Sequence, residues 1–176
     1  ALYWLGRYVE RADFTARLVE ATVRLDALSA RPAGEAAWAS ALSVTYNADG
    51  FAATGQSVSQ QPVARYLTLD MTHPGSIVRC LEQARNNARA VRTPLTREAW
   101  TAINRLWLLF ANRSSPGGSA ATLNLVEGVM AEARGFEGAI HRMMRNEATL
   151  LIQLGAAIER ADNTARLLDV KYHLLL

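Results

Sequence analysis

Apolar residues recur at spacings of three and four along most of this chain, and the strict alternation that marks a strand is scarce. Near the start, Leu5, Val9, Ala12, Ala16, Val19 and Val23 fall on one face, which predicts a helix from about Leu2 to Ser29 ended by Pro32 and Gly34. Trp38, Leu42 and Tyr46 at spacing four predict a second helix over Glu35–Tyr46. Asn47–Gln61 is rich in Asn, Gly, Ser and Gln and reads as a loop, with a short turn at Gly50–Thr54. Further helices are predicted over Pro62–Asp70, from Gly75 or Ser76 to Arg92, from Thr96 through Trp100, Ile103, Trp107 and Phe110, over Ala120–Arg145, and from Asn146 or Glu147 to His173. Ser114–Ser119 (SSPGGS) reads as a flexible linker. The sum is an all-α bundle of roughly seven helices.

The first and last of these helices carry one motif twice. Leu5–Glu20 (LGRYVERADFTARLVE) and Leu154–Asp169 (LGAAIERADNTARLLD) agree at ten of sixteen positions, without a gap, at an offset of 149. The matches include the charged set Glu10/Glu159, Arg11/Arg160, Asp13/Asp162 and Arg17/Arg166, which makes chance a poor explanation. The second copy departs at Ala156 and Ala157, where the first has Arg7 and Tyr8.

At about 100° per residue, Glu10, Asp13 and Arg17 share a narrow strip, which makes Asp13 and Arg17 an i,i+4 pair, while Arg11 points roughly 100° away from Glu10. The helix is apolar nearly all round, so these charges are expected to be buried, and a buried charge persists only when paired and hydrogen-bonded. A pseudo-two-fold pair of the repeat helices would bring Glu10 to Arg160 or Arg166 and Glu159 to Arg11 or Arg17. Gly6, Gly155 and the alanines at 12, 16, 161 and 165 would permit close approach. This predicts a polar clamp that fixes helix register. The competing reading makes Glu10–Asp13 and Glu159–Asp162 two E-x-x-D pairs of oxygen ligands. Against a metal site, Arg11, Arg17, Arg160 and Arg166 accompany the four carboxylates one for one, and no E-x-x-H motif is present. No metal or cofactor is therefore expected.

A stripe of Arg85, Arg89 and Arg92 is a candidate anion-binding edge, set against a solvated face on a helix whose apolar side is Ile77, Cys80, Ala84, Ala88 and Val91. His73, His141 and His173 lack ligand spacing and read as loop or surface residues. Ser76 has no G-x-S-x-G elbow, and Cys80 reads as core filler. Trp100 and Trp107 read as core rather than as a stacking platform for bases.

Composition adds exclusions. The 176 residues, half of them hydrophobic, suit one domain with a core. Nineteen basic residues against sixteen acidic leave +3, with acids and arginines interleaved, so nucleic-acid binding is not expected. A single cysteine excludes an internal disulfide and suits the cytoplasm. No run approaches the ~20 apolar residues of a membrane span. The chain opens on alanine inside a helical pattern and is expected to lack its natural start.

LYWLGRYVERADFTARL, LGAAIERADNTARLLDVKYHLLL and the central SIVRCLEQARNNARAVRTPLTREAWTAINRLW together resemble the alpha-E family, uncharacterised bacterial all-helical proteins named for a repeated Glu-Arg motif. Members are expected to be longer, so this chain is expected to be a piece or a short form. The resemblance implies association with ATP-grasp amide ligases, a transglutaminase-like protein and an Ntn-type peptidase in a system that makes or modifies peptides. It implies no established catalysis by the domain itself. The expected function is a non-enzymatic scaffold or partner protein. The alternative is a metal- or anion-dependent helical enzyme acting on a phosphorylated or carboxylate substrate. The oligomeric state stays open, a homo-oligomer among the alternatives.

Overall fold

A computed structural model describes residues 1–28, 33–110 and 118–175, side chains of 33, 171 and 173–175 aside. The expected helix terminator Pro32, linker residues 114–117 and the His173 side chain lie outside the described residues. Among those described there are eight helices and no strand: α1 (Leu2–Leu28), α2 (Ala33–Val44), α3 (Ala48–Ala52), α4 (Gln60–Thr68), α5 (Ile77–Ala90), α6 (Arg97–Leu108), α7 (Ser119–His141) and α8 (Glu147–Leu175). The all-α reading holds.

α1 is the hub. It packs on α8, α5 and α7, and also on α2 and α4, while α6 reaches the bundle through α7 and α5. Its apolar stripe explains this centrality: Leu5, Val9, Ala12, Ala16, Val19 and Val23 are all buried. Burying such a row from several sides removes most of its apolar area from water, at roughly 25 cal/mol per Å².

Local signals set the helix ends. The Ser76 hydroxyl accepts from the Arg79 amide at 3.3 Å and donates to the Asp70 carbonyl at 2.6 Å, which caps α5. Thr96 accepts from the Ala99 amide at 3.3 Å, and the Asn146 carboxamide oxygen from the Thr149 amide at 3.0 Å, at the starts of α6 and α8. α2 stops earlier than the spacing predicts. Tyr46 sits at φ 53 in a left-handed cap, with its amide bonded to Ser43 and that of Asn47 to Leu42. Tyr46 is therefore exposed, not the third residue of a buried stripe beside Trp38 and Leu42.

α3 is the eighth helix, in a segment that reads as a loop. Phe51 explains it: the side chain is buried and meets the Tyr66 ring edge-to-face at 5.3 Å, an anchor that overrides the polar composition around it. His73 is a loop residue as expected, but it is not at the surface. Its ring stacks on Tyr66 with centroids 4.4 Å apart, and burial lowers its pKa against the pull of Asp70. Because the folded state prefers neutral His73, the unfolded chain binds the extra proton. Stability should be full above about pH 6.5 and decline as pH falls through that value toward the lower folded pKa. Urea unfolding between pH 5 and 8 should show this slope, and His73→Phe should flatten it.

Candidate functional site

α1 and α8 run parallel, since contacts rise together in both: Gly6 lies against Ile152, Arg11 against Glu159 and Glu10 against Arg160. At their closest approach, a methyl on Gly6 would overlap the carbonyl oxygen of Ile152, and one on Gly155 would overlap that of Tyr3. Ile152 is Tyr3 advanced by 149, as Gly155 is Gly6, so the backbone contact itself obeys the pseudo-two-fold relation. Gly at both positions lets the helices touch, and this brings the charged residues one turn later within reach of the opposite helix.

There the Glu-Arg pairs cross over. Glu159 is 1% exposed and accepts from Arg7 Nε at 2.6 Å, Arg11 Nε at 2.6 Å and Arg11 Nη2 at 3.0 Å. Arg7 is held in turn by the Tyr3 hydroxyl at 3.1 Å and lies over the Trp4 ring, while Arg11 lies over Tyr8. Burial works against the Arg11 charge, yet the hydrogen bonds and charge of Glu159 outweigh it and raise its pKa. On the other side, Arg160 donates to both oxygens of Glu10 at 2.8 Å and to Glu137 of α7 at 3.3 Å. The hydrogen bonds that Arg160 donates to Glu10, against burial, raise the Arg160 pKa.

The two halves of the clamp are unequal, and the sequence difference between the copies explains why. Arg7 supplies Glu159 with a second guanidinium, whereas its counterpart Ala156 supplies Glu10 with none. The Glu159 half therefore has two cations on one buried carboxylate. The Arg160 half has two carboxylates on one cation that is 58% exposed. The excess charges of the two halves cancel once Glu137 of α7 is counted with the two repeat helices. Arg7, Tyr8 and Glu137 are the site residues that motif matching misses. For Arg7 the signal was present, one turn before Arg11 on the same helix face.

Asp13 and Asp162 behave differently from the glutamates. Arg17 Nε bonds Asp13 at 2.7 Å and Arg166 Nη2 bonds Asp162 at 2.6 Å, so the second arginine of each copy stays on its own helix instead of crossing. The Arg166 guanidinium also covers the exposed Tyr46 ring. Burial raises the Asp13 pKa despite Arg17, and its Oδ1 is buried without a hydrogen-bond partner.

Asp13 and Glu10 line a cleft of about 380 Å³ between α1, α7 and α8, floored by Val9, Phe136, Ile140 and Ile152 and edged by Arg134, Glu137, Arg145 and Arg160. Among the described residues, no three His, Cys, Asp or Glu side chains converge as metal ligands would.

The arginine stripe begins on α5, which ends at Ala90 rather than at the expected Arg92, and is tied to α6. Arg85 donates to Asn104 at 3.0 Å and lies over Trp107, and Arg92 lies over Trp100 and donates to the Leu95 carbonyl at 3.3 Å. Trp100 packs half-buried against the core, Trp107 is half-buried, and each lies under a cation, whereas Ile103 and Phe110 are fully in the core. Arg89 is exposed between them. Cys80 is fully buried, and burial pushes its thiol up to about 12 against the pull of Arg11. No helix among the described residues is long and apolar enough to cross a membrane.

No curated protein and no solved structure matches this chain. Residues 1–175 match the Alpha-E family, described as a predicted alpha-helical domain with a conserved ER motif. The Glu10–Arg11 and Glu159–Arg160 pairs whose side chains cross between α1 and α8 are this chain's two Glu-Arg sequences, and the chain belongs to the Alpha-E family.

Proposed function

We propose that this protein is a non-enzymatic helical scaffold or partner protein, acting in the cytoplasm with an ATP-grasp amide ligase or a transglutaminase-like protein in peptide synthesis or modification. The observation that carries the non-enzymatic part is the closure of the Glu-Arg charges on one another across α1 and α8. A carboxylate already holding two guanidiniums offers neither a free base nor a metal ligand. Two other chemical groups are likewise committed: Cys80 is buried as a neutral thiol, and the Ser76 hydroxyl is spent in a helix cap. The association with ligase and transglutaminase-like proteins rests on the family resemblance. Co-purification of the intact protein with the ATP-grasp ligase and the transglutaminase-like protein of its own genome tests it. A stoichiometric complex is expected with one of them, and failure with both would remove this assignment.

One observation favours the enzymatic alternative, namely that Glu10 and Asp13 line an open cleft beside Glu137. Calorimetric titration separates the two. With Arg160 bidentate on Glu10 and Arg17 on Asp13, no binding of Mg²⁺ or Mn²⁺ tighter than millimolar is expected. Micromolar binding that disappears in Glu10→Gln would make the metal-dependent enzyme the better account.

A further inference from the structure

The open cleft beside Glu10 lies where the pseudo-two-fold relation would place the counterpart of Arg7 and its neighbours. On the Glu159 side these residues form one cluster: Arg7 donates to Glu159 and to the Tyr3 hydroxyl and lies over Trp4, and Arg11 lies over Tyr8. Advanced by 149, Tyr3, Trp4, Arg7 and Tyr8 become Ile152, Gln153, Ala156 and Ala157, and all four line the cleft. Each is smaller than its counterpart. The exchange leaves about 380 Å³ on the Glu10 side, where the first copy uses its own side chains to enclose Glu159.

The same exchange leaves the acids there one cation short. Glu159 accepts three hydrogen bonds from two guanidiniums, whereas Glu10 accepts two, both from Arg160. A carboxylate has about four lone-pair sites, so Glu10 keeps room for a further donor. Arg160 is also shared with Glu137, so two carboxylates divide one cation. Asp13, one turn from Glu10 on the same strip, lines the cleft as well. It is 9% exposed, and its Oδ1 has no hydrogen-bond partner, an arrangement that disfavours the site until a donor arrives.

The remaining lining decides what kind of cation fits. Arg134 and Arg145 edge the cleft, and neither is hydrogen-bonded to a carboxylate among the described residues. A bare cation would meet their repulsion, whereas a ligand that brings its own carboxylate would gain from them. The floor of Val9, Phe136, Ile140 and Ile152 is apolar and suits a methylene stem. We propose that the cleft binds a small molecule with a guanidinium at one end, a carboxylate at the other and a methylene stem between them. The guanidinium takes on Glu10 the place that Arg7 takes on Glu159, and the carboxylate is held by the arginines at the edge. The site uses no group of the Glu159 half, and it stands or falls separately from the scaffold role proposed above.

Calorimetric titration of the intact chain with L-arginine should show saturable binding below about 10 mM. L-citrulline, in which a neutral urea of nearly the same shape replaces the guanidinium, should bind at least about tenfold more weakly, and so should agmatine, which lacks the carboxylate. Ala156→Arg gives Glu10 the second guanidinium that Arg7 gives Glu159. It should abolish L-arginine binding while leaving the far-UV helical signal unchanged, and Glu10→Gln should weaken binding at least about tenfold. No saturation by about 10 mM, L-citrulline or agmatine binding as tightly as L-arginine, or undiminished binding in Ala156→Arg or in Glu10→Gln would each overturn the proposal.

Discussion

Glu159→Ala should lower the unfolding free energy by about 3 kcal/mol, the range for removing one partner of a buried ion pair. The loss arises because Arg7 and Arg11 remain partly buried, at 18% and 30% side-chain exposure, with no anion between them. Their aromatic contacts with Trp4 and Tyr8 hold them in place and limit their escape to water. Glu10→Ala should cost far less, about 0.5 kcal/mol, because its partner Arg160 is largely solvated and keeps Glu137. Denaturant unfolding of the two variants side by side checks the contrast. Equal losses would mean that the asymmetry between the halves has no energetic weight.

Gly155→Ala should be comparably damaging, at about 3 kcal/mol, the upper end for overpacking. The methyl group would meet the Tyr3 carbonyl, and a backbone atom cannot swing aside as a side-chain tip can. α1 and α8 would have to separate, and separation also lengthens every hydrogen bond to Glu159 one turn further on. Gly6→Ala should behave alike through the Ile152 carbonyl. The control is Gly138→Ala on α7, where an added methyl meets no neighbour, and where exchanging glycine for alanine in a helix should stabilise by roughly 0.5–1 kcal/mol. Thermal unfolding of the three variants should therefore split in sign.

Much of this architecture was legible in residue order. The α1 stripe is buried residue for residue because six apolar positions at helical spacing form one continuous row for the neighbouring helices to pack on. That Glu10 and Glu159 would each meet an arginine of the opposite helix followed from two premises, a duplicated helix and the cost of leaving a buried charge unpaired, whereas the choice of Arg160 over Arg166 and of Arg11 over Arg17 did not. What was not legible depended on a third element. Glu137 reaches Arg160 only because α7 lies beside the pair, and nothing in the repeat specifies that placement. Arg17 and Arg166 show local geometry prevailing: each has an aspartate four residues earlier, within reach on its own helix, and has no need of the other. Trp100 and Trp107 show the limit of periodicity alone, which places a ring on a face without revealing that Arg92, just after α5, and Arg85 of α5 will cap them.

The Glu-Arg motif is in this account a cross-helix clamp, and a double-mutant cycle on Arg11 and Glu159 tests that most directly. Arg11→Met, Glu159→Gln and their combination should show a coupling free energy of about 2 kcal/mol, with the double variant far less destabilised than the sum of the singles. The same cycle on Glu10→Gln and Arg160→Met should give about 0.5 kcal/mol, as befits a solvated pair. Strict additivity at Arg11 and Glu159, with each single change near neutral, would contradict the clamp and leave the motif to be explained by something it binds.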